Sequence, residues 1–391
     1  MKRINITLFA IMLLAIFFSC TRSNLSYTQS GNWVSRATFS GIAVGNAASF
    51  TINGIAYIGT GINPLTPNQK VTTMYQYTGA PILASPYGYD SAYGSWSQVT
   101  NFPGQPRSNA VGFTIGGTGY LGSGLANDGF TPLADFWAYT PGAGGGSWTQ
   151  IDSLVDQFGN SHPRYDAVSF SFDTTAYVLT GTDNYNYFDD IYRYSPTTNK
   201  WIALPSFSGS KRSGAITWVY NDRGYVVTGF TPGSKWASGT SCYDFWYFTP
   251  TYMPNTSIIN DTASQAWTRL HDIFNTNAAT FDDGYTNIIR QHGVGFVELG
   301  TTNGDCAYVT LGSVNGGDVT YTWEYNFSED LWNEKTPYEG TARTGAIGFS
   351  LPSPAGPNRR GFVATGLNQG SSAAFSDCEE FFPNQVYNQY D

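Results

Sequence analysis

Residues 107–148 read RSNAVGFTIGGTGYLGSGLANDGFTPLADFWAYTPGAGGGSW. This stretch predicts four short strands. Arg107 opens the first, which carries Phe113. Gly116 and Gly117 supply a tight turn, and Tyr120 to Gly124 forms the second strand. A loop leads to the aromatic run Phe136, Trp137, Tyr139, and a glycine-rich turn leads to a last strand at Trp148. Residues two apart on a strand share a face, so Trp137 and Tyr139 can pack one sheet on its neighbour.

The pattern recurs. An aromatic followed four residues later by glycine appears at Tyr57/Gly61, Tyr120/Gly124, Tyr177/Gly181, Tyr225/Gly229, Tyr308/Gly312 and Phe362/Gly366. Each is preceded by a strand bearing Phe50, Phe113, Phe170, Trp218, Phe296 or Phe349. Each is followed by a strand ending in Tyr77, Tyr139, Tyr194, Phe248, Tyr325 or Phe381. Trp96, Trp148, Trp201, Trp267 and Trp332 mark a fourth strand in five repeats. The sixth repeat has no tryptophan after it, while Trp33 stands alone before the first. Residues 31–39 are therefore expected to supply the missing outer strand and close a ring, which removes the unpaired edge. Residues 383–390, with Val386 and Tyr387, are the competing candidate for that position.

Composition agrees with an all-β chain. Aromatics are 16%, charged residues 12%, and there are 44 glycines in 391 residues. No amphipathic helical stretch of any length is visible in the body of the chain. The formal net charge of −9 speaks against nonspecific nucleic-acid binding.

Taken together, these marks resemble a kelch β-propeller. The resemblance covers about residue 31 to the end and implies six four-stranded antiparallel blades closed by the N-terminal outer strand. The tryptophans recur at 52 to 66 residues, near the kelch period of roughly 50 with insertions. One departure is that the usual Gly-Gly after the second strand reads Thr-Gly, Ser-Gly or Leu-Gly here.

The N-terminus reads as a targeting segment. Lys2 and Arg3 precede an apolar run from Leu8 to Phe18, too short for a span of roughly 20 residues but suited to a signal peptide. Phe17-Phe18-Ser19-Cys20 resembles a bacterial lipobox. It implies a signal peptide over 1–19, a lipidated Cys20 with a tether to residue 30, and a propeller over 31–391. The expected address is the bacterial cell envelope, at the outer membrane, with the lipid anchor as the membrane contact and the protein a monomer. Cys242, Cys306 and Cys378 remain, with pairing open and burial as small apolar side chains the simpler reading.

Six residues before five of the six first-strand aromatics stand Arg107, Arg164, Arg212, Arg290 and Arg343; the first repeat has Val44. Two readings are open. The guanidiniums line one mouth of the central channel and meet an acidic glycan, peptide or protein, or they pair with neighbouring blades and staple the ring. Trp236, on a second-to-third-strand loop, and Phe274, Phe281 and Tyr285, on a long interblade link, are expected to form an aromatic cap over one sector of the same face.

Two enzyme readings stand beside this. Kelch propellers include galactose oxidase, whose copper site takes two His, two Tyr and a Cys; this chain has only His162, His271 and His292. They also include sialate mutarotases, which need an acid–base group beside a sugar-acid clamp; Asp166 and Glu339 are available carboxylates. No Ser-His-Asp arrangement, phosphate loop or EF-hand is present, and the 183–190 stretch lacks the ligand alternation calcium requires. The sequence is read as a noncatalytic binding module without cofactor or metal, with mutarotase or oxidase chemistry as the alternative.

Overall fold

The computed structural model describes residues 30–63, 70–79, 94–233, 239–250, 266–273, 283–353 and 357–388. Their regular structure is almost wholly antiparallel β. Ala48–Ile52, Ile55–Gly59, Met74–Thr78 and Ser95–Val99 form one four-stranded sheet in chain order. Three further sheets repeat it, beginning at Val111, Val168 and Ile216. Among the described residues an eight-stranded sheet and four short two-stranded pairs hold the rest. The halves of the eight-stranded sheet start at Val294 and Ile347 and meet through the single pair Leu299–Arg359.

Strand alternation sets which side faces the axis. In Val111–Ile115 the residues Val111, Phe113 and Ile115 are buried, while Gly112 and Thr114 are half-buried. Gly112 and Thr114 line an axial cavity, as do Ser169 and Ser171 of Val168–Phe172. Small side chains on this face let the innermost strands approach the axis, and their apolar partners drive the other face into the sheet-to-sheet core.

That core is a relay of aromatic contacts. Phe113 stacks on Tyr120 at 5.1 Å, and Tyr120 meets Tyr194 of the next sheet at 5.5 Å. The same step runs from Tyr57 to Tyr139, Tyr177 to Phe248, Tyr225 to Tyr325 and Tyr308 to Phe381. The last pair, Phe349 and Phe362, packs on Tyr77 of the first sheet, so the sequence of contacts returns to its start. Each such pair contributes about 0.5–1.5 kcal/mol beyond the area it buries.

The expected closure is observed. Ser30–Ser35 pairs antiparallel with Cys378–Val386, with Trp33 opposite Phe381. Residues up to Val386 continue the penultimate strand and do not fill the outer position. Trp33 is 1% exposed, packs on Tyr338 at 5.0 Å and donates its indole N–H to the Thr336 carbonyl. It thus takes the place the other fourth-strand tryptophans occupy. Near this seam Glu380 accepts from Arg36 Nε at 2.6 Å and from Arg360 through Nε and Nη2. Glu298 lies buried alongside, its carboxyl receiving the Gly361 amide at 3.2 Å.

Cys242, Cys306 and Cys378 are free and buried. Burial pushes the Cys242 thiol up to about 11 and Cys306 to about 12. They behave as small apolar side chains.

Candidate functional site

The five arginines come first, because sequence reasoning set them at a channel mouth. All five are fully buried. Arg107 holds Asp135 through both terminal nitrogens at 2.8 and 2.7 Å, and Arg164 holds Asp190 likewise. Arg212 grips Asp244, and Arg343 grips Asp377. In each case Nη1 also donates to the carbonyl just past the second strand, of Ser123, Thr180, Thr228 or Thr365, and Nε to the carbonyl two residues back. Aromatic rings cover the guanidiniums, as Phe102 covers Arg107 at 4.7 Å and Phe375 covers Arg343. Their donors are spent and none reaches solvent, so the ligand-facing reading gives way to stapling. The clamp closes within one repeat, a correction to the expected interblade pairing. Arg290 differs: its donors go to the carbonyls of Ile288, Leu311, Tyr321 and Asn287, and burial pulls its pKa down to about 9.

The backbone of these residues does run between repeats. Gly61 donates its amide to the Arg107 carbonyl, Gly124 to Arg164, Gly181 to Arg212, Gly229 to Arg290, Gly312 to Arg343 and Gly366 to Val44. The glycines are required there. Gly124 sits at φ 99°, and a Cβ would come within 2.7 Å of the Ser108 carbonyl oxygen.

Two residues beyond each arginine a second ring appears. Asn46 donates its amide to the Gly345 carbonyl, Gly345 to His292, His292 to Gly214, Gly214 to Asp166, Asp166 to Asn109, and Asn109 back to Asn46. All six have left-handed φ, from 51° to 60°. Asn, Asp and Gly tolerate that conformation best. The two glycines leave room for neighbours: a Cβ on Gly345 would fall 2.0 Å from Asn46 Oδ1, and one on Gly214 would fall 2.8 Å from His292 Nε2.

This ring gathers polar side chains on the axis. His292 Nε2 lies 3.2 Å from Asp166 Oδ2, at ion-pair distance without hydrogen-bond alignment. Asn109 Nδ2 donates to Asp166 Oδ1 at 2.5 Å. The side chains of His292 and Asp166 are 27% and 13% exposed, so the pair is sheltered but reachable. Burial opposes the charge on Asp166, yet His292 and Asn109 outweigh it and hold the carboxyl below its usual value. Burial likewise opposes the imidazolium, and Asp166 outweighs it, raising His292 above 6.5. Lys70 is close enough to be felt by Asp166; its ammonium donates to the Leu125 and Ala126 carbonyls, and burial draws it down to about 8.

Three cavities follow one another along the axis. The ring end encloses about 120 Å³. Ala47, Ala110 and Ala167 join it to a chamber of about 450 Å³. Thr51, Thr114, Ser171 and Arg359 join that chamber to a mouth of about 890 Å³ at the first-to-second-strand turns.

The remaining sequence candidates fall elsewhere. Tyr285 packs on Trp323 at 5.7 Å and donates its hydroxyl to the Trp332 carbonyl, so it belongs to the core. Trp236, Phe274, Phe281 and Cys20 lie outside the described residues. Glu339 accepts the Trp33 amide and serves the seam. The histidines are dispersed: His162 faces Asp156 and His271 faces Asp330, away from His292. They do not converge as an oxidase copper site would need. Sequence reasoning had named Asp166 and His292 separately. It missed their meeting, although both stand two residues after a repeat arginine.

Comparisons with known proteins extend this picture. A Kelch motif model matches residues 163–208. N-acetylneuraminate epimerases of Shigella flexneri and Escherichia coli (strain K12) are 33% identical over 72 residues, 17% of this chain and 20% of theirs. The match thus spans about a fifth of the length of those relatives. A solved structure titled "Structure of YjhT" superposes with TM-score 0.60 at 14% identity, covering 88% of this chain and 95% of that one. The chain is an all-β protein of propeller-like antiparallel sheets that carries a kelch motif.

Proposed function

We propose that this chain is a six-bladed kelch propeller, lipid-anchored through Cys20 in a bacterial cell envelope, that binds a small hydroxylated ligand of carbohydrate type at the ring end of its axis. Six blades are supported by the six-residue backbone ring and by an aromatic relay that passes through six pairs. On this count each half of the eight-stranded sheet is one blade. The observation that carries the binding role is the sheltered group Asp166, His292, Asn109 and Asn46 on the axis. It offers a carboxylate, an imidazole and amides within one small concavity, a set that can both donate to and accept from sugar hydroxyls. The test is a titration with monosaccharides against the wild type and Asp166→Asn. Binding lost in the variant with an unchanged melt supports the reading; binding indifferent to Asp166 refutes it.

A second reading is favoured by the similarity to N-acetylneuraminate epimerases. In it the His292–Asp166 pair takes the proton of the anomeric hydroxyl and returns one to the ring oxygen, the ring C–O bond opens to a carbonyl, and reclosure on its other face changes the configuration. NMR of anomer exchange separates the two, since a binder leaves the exchange rate unchanged. For the anchor, Cys20→Ser should shift the protein from the membrane fraction to the soluble one; retention in membranes refutes it.

A further inference from the structure

The wide end of the axis carries a feature unrelated to the ring end. Two consecutive arginines open the strand Arg359–Ala364, and strand alternation sends them to opposite faces. Arg360 is buried and spent on Glu380. Arg359 is exposed and lines both the 450 Å³ chamber and the 890 Å³ mouth. No described carboxylate is ion-paired with it, whereas Arg107, Arg164, Arg212, Arg343, Arg36 and Arg360 are all ion-paired, the last two sharing Glu380. Its backbone is held on two sides, by Pro352 in its own hairpin and by Leu299 of the neighbouring repeat.

The walls around it are neutral. Among the described residues, Arg359 is the one charged residue lining the chamber. Several hydroxyls there are already committed as donors: Thr114 to the Thr51 carbonyl, Ser169 to Gly112, Thr217 to Ser169 and Ser350 to Val297. The wall therefore presents lone pairs, and Arg359 supplies the strong donors. A guanidinium in such a place matches a carboxylate in bidentate fashion.

The rim narrows the class of ligand. Asp173 and Asp222 stand on turns of other repeats around the same mouth, and Asp305 lies at the start of the strand Gly304–Thr310. Asp305 is occupied by the Tyr220 hydroxyl and the Gly300 amide. Three carboxylates against one guanidinium make the mouth net negative on a protein that is itself acidic, which repels phosphates and polyanions. A molecule carrying one carboxylate and one ammonium satisfies both signs. At about 890 Å³ the mouth is of the size small-molecule sites use, roughly 300–1,000 Å³.

We propose that the wide mouth is a separate site for a small zwitterion, an amino acid or short peptide, whose carboxylate meets Arg359 and whose ammonium meets Asp173 and Asp222. The probes are L-alanyl-L-alanine, its N-acetyl derivative and its C-terminal amide, titrated calorimetrically at millimolar concentrations. The dipeptide is expected to bind, with each blocked form weaker. Arg359→Ala should weaken the dipeptide by roughly ten- to a hundredfold and abolish discrimination against the amide. Asp173→Asn combined with Asp222→Asn should abolish discrimination against the acetylated form. Because these positions are exposed or on turns, the variants should melt as the wild type does. Absence of dipeptide binding, or equal affinity of wild type and Arg359→Ala, overturns the proposal. Asp166→Asn serves as the control: it tests the ring-end reading alone and should leave dipeptide affinity unchanged.

Discussion

Trp33 lies opposite Phe381 with ring centroids 4.7 Å apart, joining the first described strand to the last. The contact ties the two ends of the described chain into one sheet. Trp33→Ala should therefore cost about 3–5 kcal/mol, in the range of buried aromatic truncations. Equilibrium denaturation measures this. An equivalent truncation of Trp148, which is half-exposed, should cost clearly less.

The arginine clamps make a second set of expectations. Arg212→Met leaves Asp244 sheltered and unpaired, so about 3–5 kcal/mol should be lost. Restoring balance with Asp244→Asn in the same chain should recover part of that loss. Arg290→Met orphans no described carboxylate, only carbonyls, and should destabilise less than Arg212→Met. Thermal melts of the three proteins rank them. If Arg290→Met proves the most damaging, the clamp account is wrong.

Stability should depend on pH with a definite sign. Burial pushes Glu379 up to about 7 and Glu298 well above 4.5. The folded state thus holds protons that the unfolded state releases near 4.5. Stability falls as the pH rises from about 4.5 to about 7. His292, raised above 6.5 in the fold, adds in the same direction: its contribution is present below 6.5 and disappears as pH rises through its folded value. On the acid side Asp135, Asp166 and Asp244 are held below 3.8, and their contribution is lost as pH falls through the folded values. The optimum should lie on the acid side of neutrality. Glu298→Gln should flatten the decline toward high pH. A stability maximum above pH 7 would contradict these assignments.

The His292–Asp166 pair can be read directly by NMR titration. Wild-type His292 should titrate above 6.5. In Asp166→Asn only the opposing effect of burial remains, so the titration should fall below 6.5. An unshifted midpoint would mean that the two side chains do not interact in solution.

Much of the architecture was legible because it repeats. Tyr120 before Gly124, and Trp148 after them, are weak marks singly, but an aromatic before glycine in all six repeats and the tryptophan in five fix strand order and register. The lone Trp33 gave away the seam, since five repeats had a tryptophan in that place. The arginine column was equally visible, but by itself it leaves the ligand-facing and stapling readings both open. Its partners Asp135, Asp190, Asp244 and Asp377 form a column of their own, each immediately before a third strand. Matching the two columns would have revealed the clamps. The ring of Asn46, Asn109, Asp166, Gly214, His292 and Gly345 also left a trace in residue types that favour left-handed backbone. What no periodicity encodes is that Asp166 and His292, in nonadjacent repeats, meet across the axis. Arg359 escaped notice because it belongs to no repeating column; its backbone is fixed by Pro352 of its own hairpin and by Leu299 of the neighbouring repeat.

The six amides around the axis run head to tail, each donating to the carbonyl of the next. A chain of hydrogen bonds in one direction polarises its members cooperatively. In a helix the same alignment builds poles at the two ends. Here the direction circulates and has no ends, so the peptide dipoles largely cancel around the loop. The backbone therefore gives the narrow end no pole with which to attract a charged ligand. The titratable side chains lining it are Asp166 and His292. While they pair, the sign of the local field is close to neutral, and once His292 loses its proton the lining turns negative. The charge of that lining thus turns on one proton on one imidazole, with the Lys70 ammonium as the outlying positive group that Asp166 feels.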